Sequence, residues 1–222
     1  MVRAATGGMR YPNVRFPCLP RIIAMSLKSS SLLAPGPLAL GPVALIGLIV
    51  LAALSRLLPH PPNFSPVEAI ALFGGAYFAR RGWALAVPLL AMFGSDLLLG
   101  LLNGGIYLDY FLSAGVLSVY ACIALSSLLG FGLRGKVSGL RVTGYSLAGS
   151  VLFFLATNFA VWASATSLTA APACSTSLGA CYVAGLPFFQ NTLLGTLFYS
   201  ALLFGSFAWM LNTIPALRPQ TA

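Results

Sequence analysis

Apolar runs long enough to carry a helix across a lipid bilayer follow one another from about residue 38 to residue 211, parted only by short polar, glycine- or proline-bearing stretches. A hydrocarbon core about 30 Å thick takes about 20 helical residues to cross. The chain is therefore predicted to be an all-α, polytopic membrane protein. Its 222 residues are 59% hydrophobic and 7% charged, with a mean hydropathy of +0.93, and soluble globular domains do not carry so little charge. No stretch is left over for a separate soluble domain.

Six transmembrane helices are expected: Leu38 to Leu57, a short one from Pro66 to Ala79, then Trp83 to Leu102, Tyr107 to Leu128, Val142 to Ala165 and Leu186 to Leu211. They form a domain over residues 36–213, with a short tail at 214–222. Residues 1–35 carry Arg3, Arg10, Arg15, Arg21 and Lys28 without an acid, and read as a disordered basic segment. Met25 is a candidate for the true start. An organellar transit peptide would share this composition, but an amphipathic pattern is missing and a bacterial start placed too early is preferred.

The net charge of +9 is informative through its distribution. With six helices, the amino terminus, Arg80 and Arg81, the loop holding Arg134, Lys136 and Arg141, and the tail with Arg218 all face one side. Basic loops mark the cytoplasmic face, so both termini are placed in the cytoplasm. The opposite loops, 58–66, 103–106 and 166–184, hold no Lys or Arg, and Arg56 alone breaks the pattern near that face.

Residues 60–76 concentrate the polar and helix-breaking residues. Pro61, Pro62 and Pro66 force an extended entry, after which Ser65 is expected to cap a helix with Glu68 completing a capping box. His60, Asn63 and Glu68 then either gather at one membrane face or simply make a good helix start. Glu68, Asp96 and Asp109 are all placed toward the outer leaflet. An ionised group at membrane depth costs about 3 kcal/mol and normally finds a partner. For Asp96 the only cation on its side is Arg56, and Asp96 is then a structural ion-pair partner, a ligand-binding carboxylate, or both. Asn158 and Trp162 stand four apart on one helix, and Gln190, Asn191 and Thr192 follow Pro187. Asn63, Glu68, Asp96, Asn158, Trp162 and Asn191 are the candidate ligand contacts.

Ala71, Gly75 and Ala79 form a small-residue row suited to helix packing, and Ala201 and Gly205 repeat the spacing. Cys174 and Cys181, seven positions apart on the outer side, are either a loop-pinning disulfide or two free thiols. No Cys/His cluster has metal-site spacing, and hydrolase, nucleotide and metalloprotease motifs are missing. No cofactor, metal or nucleic acid is expected, and the chain reads as a non-enzyme. Ion conduction lacks a filter or an acidic ring.

Several of these motifs carry a resemblance. The stretch from Arg56 through Pro61, Pro62, Asn63, Phe64 and Ser65 to Gly75 and Ala76, the pair Ser95-Asp96, the run from Thr157 to Trp162, and that from Cys181 to Gly195 resemble a family of small bacterial integral membrane proteins without an assigned activity. The likeness covers about residues 45–206. Where that family commonly reads Gly-Asp-Leu-Phe-Tyr, this chain has Gly195-Thr196-Leu197-Phe198-Tyr199. In size and layout the chain is also similar to the substrate-binding membrane subunits of energy-coupling factor vitamin transporters, although their small-residue row lies on helix one and here it lies on helix two. That likeness implies a component of a small-molecule importer in the bacterial inner membrane, binding a vitamin- or cofactor-like ligand near the outer leaflet and working with a membrane coupling subunit and its ATPase. A non-transporting structural subunit of a larger membrane complex is the alternative.

Overall fold

The computed structural model describes residues 40–104, 114–164 and 172–220. The basic segment 1–35, Asp109 and most of the loop before Pro172 lie outside them. Every regular element among the described residues is helical. Helix α1 (Leu40–Leu54) runs on into a 3₁₀ turn, Ser55–Leu57. It is followed by α2 (Val67–Tyr77), α3 (Arg81–Asn103), α4 (Ala114–Gly130) with a 3₁₀ turn at Phe131–Leu133, and α5 (Gly139–Ala163). A short α6 (Pro172–Thr176), a long α7 (Leu178–Thr213) and a closing turn at Pro215–Gln220 complete the chain.

Five of these elements, α1, α3, α4, α5 and α7, are long and apolar enough to cross a membrane, with α1 and α4 counted together with their 3₁₀ turns. The expected second span is different. Helix α2 has 11 residues, about 16 Å at 1.5 Å per residue, or half the thickness of a hydrocarbon core. Its proline-bearing entry stays out of helix, and Phe78 turns extended at φ −71° and ψ 122° to end it. Residues 67–76 are all buried, and α2 packs against α1, α3, α4, α5 and α7 alike. It is the axis of the bundle.

Two adjacent glycines let neighbours close on that axis. A Cβ at Gly74 would stand 2.7 Å from Pro88 Cγ of α3, and one at Gly75 would fall on the Ser127 carbonyl oxygen of α4. Farther round, Phe73 meets Tyr77, Phe204 and Phe207 edge-on, with ring centroids 5.1, 5.2 and 5.6 Å away. The small-residue row therefore packs within the fold. It comprises Ala71 and Gly75 only, because the helix ends before Ala79, which is exposed.

At the carboxyl end of α2 the basic residues converge. Arg134 donates from Nε to the Gly75 carbonyl at 2.9 Å and from Nη2 to the Phe78 carbonyl at 2.8 Å, bonding carbonyls that the end of a helix leaves free. Its guanidinium lies 4.1 Å from the centre of the Phe131 ring, with Arg81 5.7 Å from the same ring. Burial, and then the like charge of Arg81, lowers the Arg134 pKa from its ordinary value. Arg141 donates to the Gly132 carbonyl at 2.8 Å.

The amino end of α2 departs from the expected capping box. Pro66 occupies the cap position and no side chain caps the helix. Asn63, at φ +63°, turns the chain so that the Ser65 backbone lies against Gly195 of α7, where an added Cβ would stand 2.8 Å from Ser65 N. The hydroxyl of Ser65 is thereby not used as a cap.

Helix α7 begins at Leu178, eight residues before the expected start, because Ser177 caps it by accepting from Ala180 N at 3.1 Å. Its 36 residues reach about 54 Å, well beyond a bilayer core. Pro187 sits inside it, and a disulfide between Cys174 and Cys181 ties α6 to its first turn.

Gly75→Ala should lower stability by about 2 kcal/mol or more, since overpacking against backbone is not relieved by a rotamer change. Gly47→Ala, with open space around it, should be neutral or slightly stabilising. Thermal unfolding of both variants in detergent checks the contrast.

Candidate functional site

The described ion pair is built from three elements at one level of the bundle. Asp96 lies 15 positions beyond Arg81 on α3, about 22 Å along the axis from the basic end. Arg56, in the 3₁₀ turn after α1, donates from Nη1 to Asp96 Oδ1 at 2.5 Å and to Ser95 Oγ at 2.7 Å. Tyr120 of α4 donates its hydroxyl to Asp96 Oδ2 at 2.8 Å, and the Ser95 hydroxyl donates to the Met92 carbonyl at 2.9 Å. Both carboxylate oxygens are thus engaged by charge-assisted bonds, the strong kind.

This cluster is not sealed. The Arg56 and Asp96 side chains keep 17% and 18% of their surface, and they line a cavity of about 210 Å³ together with His60, Asn63, Tyr120 and Phe153. A second cavity of about 220 Å³ is bounded by Thr157, Asn158, Phe154, Phe188 and Phe189. The two share Asn63, Val119 and Phe153 as a common wall. Each is smaller than the roughly 300 Å³ at which ligand pockets begin, and opening one into the other reaches that size. The combined surface offers a cation, an anion, amides and aromatic rings, which suits a small molecule with a polar head and a flat apolar body. No group of three or more His, Cys, Asp and Glu that could hold a metal is present among the described residues.

A sequence profile described as a family of unknown function, DUF6580, matches residues 39–217, which takes in every helix from α1 to α7. The chain belongs to the DUF6580 family. No curated protein and no solved structure matches it. The family motifs read from the sequence agree with this assignment, whereas the likeness to energy-coupling factor subunits finds no support in these comparisons.

In this DUF6580 member the six expected contacts separate. Asn63 lines both cavities, Asp96 the first and Asn158 the second. Asn158 donates to the Phe154 carbonyl at 2.9 Å, and its Oδ1 points to Gly185, where an added Cβ would stand 2.5 Å away. Trp162 is not brought to the cavities: it lies a full turn farther out, exposed, with its ring 5.7 Å from Phe159. Asn191 is likewise outside them and donates to the Pro62 carbonyl at 2.9 Å, pinning the entry loop to α7. Glu68 lines neither cavity. It directly follows Val67, which lines the first cavity, and stands seven positions from Gly75, only about 10 Å from the basic end. Tyr120 was missed by sequence reasoning, since one tyrosine in an apolar helix carries no periodic signal.

Arg56→Met and Asp96→Leu should each destabilise the protein by about 3 kcal/mol, by leaving a charge at depth without its partner, and the double variant should lose less than either. Unfolding midpoints of the three variants, measured in one detergent, decide whether the pair is energetically coupled.

Proposed function

We propose that this chain is the substrate-binding membrane component of a small-molecule importer. The observation that carries the reading is the Arg56–Asp96–Tyr120 cluster standing in the wall of a cavity, with a second, aromatic-lined cavity beside it. A purely structural ion pair has no need of adjoining space. In this reading Asn63, Asp96 and Asn158 hold the polar head of a vitamin- or cofactor-like ligand, and Phe153, Phe154 and Phe189 flank its body.

The orientation follows from the cluster of Arg81, Arg134 and Arg141 at one end. By the positive-inside rule that end is cytoplasmic, and the cavities open near the outer leaflet of a bacterial inner membrane. In this reading the five long helices and α2 with its entry loop make six passes, with both termini in the cytoplasm. Energy would come from a coupling subunit with an ATPase, because this chain has no phosphate-binding motif.

A second reading, a structural subunit of a membrane complex, draws on a groove of about 360 Å³ between α5 and α7 near the basic end, lined by Gly139, Ala201, Gly205 and Ala208. Such small-residue surfaces accept another helix closely. The same groove would serve a coupling subunit.

Native mass spectrometry of the protein extracted gently from its own membrane tests the proposal. Wild type should carry an adduct of a few hundred daltons, and Asp96→Asn should lose it while remaining folded. A bare wild-type monomer sinks the importer reading. Stoichiometric protein partners without an ATPase among them would favour the structural subunit instead.

A further inference from the structure

Glu68 is 1% exposed, in the first turn of α2, and its Oε1 has no hydrogen-bond partner. Four hydroxyls share that condition: Ser126 and Ser127 on α4, Ser150 on α5 and Thr196 on α7. These are three of the helices that close around α2. A Cβ built on Gly149 would lie 3.8 Å from both Glu68 Cγ and Ser126 Oγ, so the carboxylate stem, that hydroxyl and the backbone beside Ser150 meet in one place. Thr196 follows Gly195, which lies against Ser65 just above Glu68. Among the described residues the one ion pair is Arg56–Asp96, and the titratable neighbour of Glu68 is Cys122, on the turn of α4 before Ser126.

We propose that Glu68, with the hydroxyls of Ser126, Ser150 and Thr196, forms a mid-membrane binding site for a small alkali cation such as Na⁺. One carboxylate among neutral hydroxyls balances one positive charge, and hard oxygen donors without thiolate or imidazole suit a hard ion rather than a transition metal. A proton would satisfy the carboxylate alone and leave the hydroxyls without partners, whereas a cation takes several oxygens at once. Buried polar atoms without partners call for such an explanation.

The location gives the ion two approaches. The outer cavity ends at Ser65 and Val67, the residue before Glu68. From the basic end, the groove between α5 and α7 reaches Ser146 and Ser200, which are hydrogen-bonded to each other at 2.8 Å and lie one turn from Ser150 and Thr196. The site stands between these openings, and it does not depend on the small-molecule reading of the outer cavity.

Reaction with dicyclohexylcarbodiimide, which modifies carboxyls in apolar surroundings, provides the test on detergent-purified full-length protein at one mildly acidic pH. Intact mass and peptide mapping should place the adduct on Glu68, and NaCl should slow its formation several-fold relative to equal choline chloride. Glu68→Gln should take up no adduct there. Ser150→Ala, a smaller change that keeps the fold if Glu68→Gln does not, should still be modified but need several-fold more Na⁺ for protection. Equal rates in NaCl and choline chloride would show a carboxyl that takes only a proton and would overturn the proposal. So would modification of Asp96 in place of Glu68, or no modification in either salt.

Discussion

Backbone groups at the ends of a helix that stops inside a bilayer have only protein to bond, because no water is available there. Helix α2, only 11 residues long, leaves such carbonyls at its end, and its neighbours answer to them. Arg134 reaches back from the end of α4 to take the Gly75 and Phe78 carbonyls. Asn191 reaches from α7 to take the Pro62 carbonyl in the entry loop. These partners have fixed reach, so α4 and α7 stand where the half-helix needs them. Gly75 and Gly195 lack the Cβ atoms that would hold α4 off the half-helix and α7 off its entry loop.

A half-length axis also explains why polar chemistry collects where it does. Before Val67 the chain is a proline-bearing loop that turns at Asn63, with residues 58–63 exposed, rather than a helix, and such a loop packs less evenly against helices. The two outer cavities lie along that segment, with Asn63 in both walls. Below Val67 the helix resumes and the neighbours close tightly, which leaves Glu68 and its hydroxyls enclosed. Two polar regions of different character thus adjoin at the start of one helix: one, lined by Val67, holds a paired charge beside open space, and the other, at Glu68, holds a single buried carboxylate.

Much of this was legible in the residues, and the rest was not for physical reasons. Apolar runs located every long helix, and Arg56 and Asp96 could be matched because each was the other's counter-charge on that side. The shortness of α2 could be read from Pro66 and Arg80-Arg81. Its depth could not, since a chain may cross half a membrane extended as well as helical. The same stretch also suggested a capping box that Ser65 does not make. Trp162 shared a helix face with Asn158 by spacing, yet spacing says nothing of how far along the axis a cavity extends. Tyr120 and the buried serines belong to helices with almost no amphipathic contrast, so their inward direction becomes visible only when the neighbours are in place.

The burial of α2 on every side has a consequence for how such chains can diverge. A helix with one side against lipid can exchange residues freely on that side, and its record of change rises and falls every three or four positions. Residues 67–76 have no lipid side at all. Their history should therefore be one of near-silence at consecutive positions, and the segment would resemble a soluble protein's core more than its own membrane neighbours.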